Sequence, residues 1–175
     1  MNPELQTYIA KRHAQITTPL AFFFLCFFTF GIYSIWWQYK AWRFIKQKDN
    51  LSVSPVARAF FAVFFVHGLL DRIDYDAREK GHQGIATGAY ATAYVILAII
   101  SNILSRLPDP YWFVTIAIPF YAFLIPSVKQ LNYYWETEEN VALSRTMSTK
   151  AIVLLLFGIL FFLLVILGLL SEAGQ

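Results

Sequence analysis

The chain has 175 residues, 58% hydrophobic and only 14% charged, with 14 Lys and Arg against 11 Asp and Glu. Soluble domains of this size carry roughly 45–50% apolar and about 25% charged residues. The composition excludes a soluble single domain, a disulfide-stapled secreted module and a disordered chain. Charge spacing is more informative than charge number. Uncharged runs cover 13–39, 81–105, 110–128 and 151–171, and a shorter one covers 59–70. A helix crossing a lipid core about 30 Å thick needs roughly 20 mostly apolar residues. The expectation is an all-α, polytopic helical membrane bundle forming a single domain over 1–175. Its four spans are 19–39, 85–105, 111–128 and 151–170, with a short helix over 56–80 only partly in the membrane.

Residues 1–15 are polar and belong at the surface. Thr17, Thr18 and Pro19 suit a helix start, since Thr can cap and Pro fits the first turn. The first span is Phe-rich, with a break candidate at Thr29-Phe30-Gly31. It reads as a permanent helix rather than a cleaved signal, because its apolar stretch is too long and no small-residue cleavage site follows. Its end is crowded with Tyr33, Trp36, Trp37, Tyr39 and Trp42, interleaved with Lys40, Arg43, Lys46 and Lys48. Trp and Tyr collect where hydrocarbon meets headgroups.

Asp49–Ser54 is a polar turn, and Pro55 opens the next helix. The short apolar run that follows reads as interfacial or re-entrant, with Arg58 able to snorkel if it crosses. Asp71-Arg-Ile-Asp74-Tyr-Asp76 continues the helix, and Asp74/Arg78 and Asp76/Lys80 form i,i+4 pairs. Gly81-His-Gln-Gly84 ends it. Gly84, Gly88 and Thr92, four residues apart, predict a small-residue face for helix packing. Arg106–Pro110 is a tight turn. Pro119 and Pro126 predict kinks in the fourth span. Residues 129–150 form a polar connector, and 151–170, apolar all round, faces lipid.

Topology follows from placing the Lys and Arg excess in the cytoplasm. Four spans divide the basic residues 11 to 3, and an additional crossing by 56–70 divides them 8 to 6. A first segment bent at Gly31 into a re-entrant hairpin divides them 13 to 1. Four spans with the N-terminus outside is the preferred reading. All three arrangements leave 71–86 and 129–150 cytoplasmic and the C-terminus outside.

Candidate sites are few. Asp71, Asp74 and Asp76, with His67 one turn earlier, could hold Mg²⁺ at the membrane edge. DYDAREKG is similar to the Asp-rich motifs of membrane alcohol-phosphate transferases, but the second aspartate pair those enzymes need is missing. A solvated helix end is the simpler reading, with His67 bonded to Asp71. The group Tyr33, Trp36, Trp37, Tyr39, Lys40, Trp42 and Arg43 could grip an anionic headgroup by charge and ring contacts. Otherwise it is an ordinary aromatic belt. Cys26 is a lone thiol in an apolar run, expected buried and inert. No metal site, cofactor or catalytic constellation is expected.

FGIYSIWWQYKAW (30–42) resembles the G-I-Y-x-x-Y-W-x-Y-K-x-W stretch of small bacterial multi-pass membrane proteins classed as a domain of unknown function. SPVARAFF (54–61), LPDPYW (107–112) and Pro126…Gln130…Asn132 are similar to later blocks, although Trp36 replaces the usual Tyr. The resemblance implies a bacterial inner membrane and no activity. The leading expectation is therefore a non-enzymatic component in contact with membrane lipids, with a homo-oligomer or another membrane protein as partner, and no nucleic acid. A small transporter or channel component is the alternative, suggested by Gly31, Pro119, Pro126 and His67. A membrane-edge enzyme using the three aspartates is the third.

Overall fold

The computed structural model describes residues 16–107, 119–138 and 149–173. The polar N-terminal segment with Lys11, Arg12 and His13, residues 108–118 of the turn and fourth span, and 139–148 of the connector lie outside the described residues. Among the described residues the chain forms seven α-helices and one 3-10 turn, with no strand. The helices are α1 (Pro19–Phe28), α2 (Ile32–Lys48), α3 (Pro55–Phe60), α4 (Ala62–Glu79), α5 (Thr87–Leu104), α6 (Ile125–Thr137) and α7 (Thr149–Ala173). The 3-10 turn, Phe120–Leu124, leads directly into α6.

The segment 19–39, expected as one span with a break candidate at Thr29-Phe30-Gly31, is two helices folded against each other at that break. Thr18 caps α1 by accepting from the Ala21 N–H at 3.2 Å, with Pro19 in the first turn. Ten residues later the helix ends in a Schellman arrangement. Gly31 N donates to Cys26 O at 2.7 Å and Phe30 N donates to Phe27 O at 3.2 Å. Phe30 and Gly31 both hold positive φ, +52° and +84°. The Thr29 hydroxyl donates to Leu25 O at 2.6 Å and accepts from Tyr33 N at 3.1 Å, so it closes α1 and caps α2. A straight helix would hold Phe22 and Trp37 about 22 Å apart. Their ring centroids are 5.6 Å apart, and Phe22 also meets Tyr33 edge-on at 6.0 Å. α1 and α2 are an antiparallel hairpin.

A second reversal follows. Asn50, at φ +51°, ends α2, and Ser54 caps α3 through the Ala57 N–H. Phe61, at φ −92° and ψ 40°, interrupts the helix between α3 and α4. The break turns the chain back. Arg58 lies over the Trp42 ring at 4.2 Å, whereas Arg72 reaches Asp49 at the end of α2, 2.6 Å away. Residues 56–70 are therefore no straight rod.

The expected kinks at Pro119 and Pro126 take a different form. Pro119 precedes the 3-10 turn and Pro126 lies in the first turn of α6, where its missing N–H costs nothing. Both prolines start elements. The helix then runs to Thr137, well past the 128 at which the fourth span was expected to end.

The small residues expected to form a packing face near α5 have different surroundings. Ala91 and Tyr94 are its buried residues, and a side chain at Gly88 would meet open space. Gly84 lies before the helix, against the Arg78 guanidinium. Gly88 stands three residues before Ala91, and Thr92 meets His67 across the contact between α4 and α5. The close approach predicted for α5 occurs on α7, where Gly158 packs on the Phe28 carbonyl and Phe162 meets Phe27 and Phe28 at 5.4 and 6.0 Å.

The core joins α1, α2, α4 and α6 through Phe22, Trp37, Ile45, Val66, Leu70 and Leu131. α5 and α7 are each long and apolar enough to cross a membrane, at about 27 and 38 Å by helical rise. Both are mostly exposed, unlike the core helices of soluble proteins. Ile99, Ile103, Leu160, Leu164 and Leu167 project outward from them, and Leu20, Phe24, Phe60 and Phe64 continue the apolar surface onto α1, α3 and α4.

Gly31→Ala should lower the unfolding free energy by roughly 2 kcal/mol or more, because it strains a left-handed residue and crowds Phe120. Gly68→Ala, in open space on α4, should be neutral or stabilising. Denaturant unfolding in detergent compares the two.

Candidate functional site

The Asp71-x-x-Asp74-x-Asp76 run lies on α4. At about 100° per residue, Asp71 and Asp74 are roughly 60° apart and Asp76 is about 160° from Asp74. The three carboxylates therefore point to different neighbours. Asp71 accepts from the Thr87 hydroxyl at the start of α5. Asp74 Oδ1 accepts from Ile85 N at 3.0 Å and from Gln130 Nε2 on α6 at 2.5 Å, and its Oδ2 pairs with Arg78 Nε at 2.7 Å. Asp76, 2% exposed, lies 2.6 Å from Lys48 Nζ.

Of the expected i,i+4 pairs, Asp74–Arg78 forms. Asp76 turns instead to Lys48, with Arg72 Nε at 3.9 Å, and Lys80 pairs with Glu138 at 2.7 Å. Lys48 also lies 3.3 Å from Asp49, and Arg72 closes the ring by its 2.6 Å contact with Asp49. Burial pushes the Asp76 carboxyl above its ordinary value, and Lys48 and then Arg72 draw it part of the way back. Tyr133 OH donates to Lys80 O at 3.0 Å, adding another tie to α6. The cluster is a clamp joining the ends of α2, α4 and α6 and the start of α5. Among the described residues no group of three His, Cys, Asp or Glu side chains could hold a metal ion.

His67 does not bond Asp71. Its Nε2 lies 3.1 Å from the Thr92 hydroxyl, because α4 and α5 pack side by side and bring Thr92 to it.

The aromatic-basic group divides by helix face. Tyr33, Trp37 and Trp42 are buried in the core, whereas Trp36 is exposed and pairs with Tyr39 at 5.2 Å. Lys40 Nζ lies 3.4 Å from Tyr33 OH, which is 3.5 Å from the Thr17 hydroxyl. Only part of the expected collar faces outward, since one stripe of the helix, including positions 33, 34, 37, 38, 41 and 42, faces the core. Trp36, Tyr39, Lys40 and Arg43 retain some exposure.

Sequence reasoning missed the buried amides. Gln38 Nε2 donates to Tyr94 OH at 3.0 Å, linking α2 to α5, and its Oε1 is buried without a partner among the described residues. Gln130 links α6 to Asp74. A Gln within an apolar or aromatic run was the available signal, because an amide there must find a partner. The partners are 56 residues away in sequence in both cases and could not be read from it. Cys26 is buried, as expected.

No family model matches the chain, and no curated protein or solved structure does either.

Lys48→Met should cost about 3 kcal/mol, since it leaves the nearly inaccessible Asp76 carboxylate without its nearest cation. Adding Asp76→Asn should restore part of that loss. Unfolding of the two single variants and the double variant measures the coupling.

Proposed function

We propose that the chain is a multi-pass integral membrane protein of the bacterial inner membrane that acts by contact with lipid or a partner protein rather than by catalysis. The observation that carries this reading is the distribution of polarity. Apolar side chains face outward on α1, α3, α4, α5 and α7, while the ion pairs gather at one end, around Lys48, Asp49, Arg72 and Asp76. A surface of that kind is stable against acyl chains and costly against water. The inner-membrane assignment rests on the resemblance of FGIYSIWWQYKAW and on the basic residues.

In this reading the α1–α2 hairpin enters the membrane and returns to the side it came from. Phe30 at its tip meets Phe161 at 5.8 Å, near the middle of α7, so the tip reaches about the bilayer centre. That arrangement has the 13 to 1 division of basic residues, the strongest of the three counted. It differs from the preferred four-span path in that 19–39 enters and returns rather than crossing. The ionic cluster then lies on the cytoplasmic side, with 71–86, and the C-terminus lies outside.

A transport role is the second reading. It is favoured by one observation: the interruptions at Thr29–Gly31 and Pro119–Leu124 meet where Gly31 contacts Phe120, close to the Gln38–Tyr94 pair. Broken helices at mid-membrane depth are a common construction for solute sites. The enzyme reading draws no support from aspartates already committed to Thr87, Gln130, Arg78 and Lys48.

The chain should remain in the membrane pellet after alkaline carbonate extraction, and a reporter fused after Gln175 should read outside the cytoplasm. Release by carbonate would overturn the membrane reading. A cytoplasmic reporter would overturn the proposed topology.

A further inference from the structure

We infer that Arg58, with the exposed phenylalanines of α3 and α4, forms a binding site for the phosphate of an anionic phospholipid. The inference rests on the membrane reading above and assigns it a specific contact. Arg58 has no carboxylate partner among the described residues and lies against rings. Its guanidinium lies 4.2 Å from the Trp42 ring centroid and 5.4 Å from that of Phe65. Stacking holds the planar fork in place and leaves its N–H edge for an acceptor, the geometry that suits phosphate.

The surroundings are those of a lipid rather than a soluble anion. Val56, Phe60, Phe61 and Phe64, within six residues of Arg58 in the chain, are exposed, Phe60 at 76% and Phe64 at 77%. A free phosphate gains nothing from such a rim, whereas acyl chains do. The depth fits too. Trp42 precedes Lys48 by six residues on α2, about 9 Å, so Arg58 lies just inside the ionic cluster, where charged protein gives way to apolar surface. Phe61 separates α3 from α4 there and leaves its own ring exposed. Anionic headgroups offer charge complementarity to Arg58, and zwitterionic ones offer less.

The test is retention of phosphatidylglycerol against phosphatidylcholine of the same acyl chains by the full chain in mild detergent, read by native mass spectrometry. The wild-type chain should retain the anionic lipid preferentially. Arg58→Gln should weaken that retention by about tenfold, and Lys129→Gln, which removes an exposed charge elsewhere, should leave it unchanged. Equal retention by Arg58→Gln and wild type would overturn the site, as would an equal loss in Lys129→Gln. If Arg58→Gln fails to fold, Phe60→Ser/Phe64→Ser, altering two exposed positions, carries the test, with a loss expected and full retention overturning it. Failure of the site leaves the chain in the carbonate-resistant pellet, so it is distinguishable from failure of the membrane reading.

Discussion

The fold depends on how three residues satisfy the backbone where an apolar helix stops. Thr29, Phe30 and Gly31 interrupt a run of Phe and Leu that would otherwise continue as one rod. An open helix end in an apolar setting costs several kcal/mol for each unpaired group. Here the Schellman bonds to Cys26 and Phe27 and the double role of the Thr29 hydroxyl leave the turn internally bonded. Once the turn is closed, Phe22 can lie against Tyr33 and Trp37, and α7 can pack on Phe28 and Phe30. The whole apolar half of the molecule is organised around that tip.

The opposite end is held by charge. Asp74 and Asp76 lie two residues apart yet bind different helices, because about 160° of helical rotation turns one toward α6 and the other toward α2. Such buried pairs contribute less to net stability than to specificity, since desolvation consumes much of the attraction. Their consequence is register. Lys48 and Arg72 bridge Asp49 and Asp76, and Gln130 holds Asp74, so sliding of α2, α4 and α6 past one another would strand a carboxylate. Apolar contacts alone would tolerate such sliding more readily.

Much of this was legible in the sequence, and the rest was hidden for identifiable reasons. The helical class, the caps at Thr18 and the start at Pro55, the break at Thr29–Gly31 and the Asp74–Arg78 pair follow from local chemistry, and local chemistry is what a sequence displays. The reversal of α1 onto α2 was only one of three arrangements, because a break shows where a helix ends and not the angle at which the next begins. On α5 the fully buried positions are Ala91 and Tyr94, and which face packs is set by neighbouring helices that the local sequence does not display. His67 and Asp76 were given partners one turn away, and distant residues displaced them. Lys48 and Thr92 are 28 and 25 residues from the groups they bind.

In the proposed topology the first apolar run enters and leaves the membrane on one side. This path is tested most directly by labelling from a known side. In a Cys26→Ser background, Thr18→Cys and Gln47→Cys place single thiols at exposed positions on either side of the hairpin. A membrane-impermeant maleimide applied to sealed inverted vesicles should label both from the cytoplasmic face. Labelling of Gln47→Cys alone, with Thr18→Cys reacting only in right-side-out vesicles, would mean that 19–39 crosses and would contradict the hairpin account.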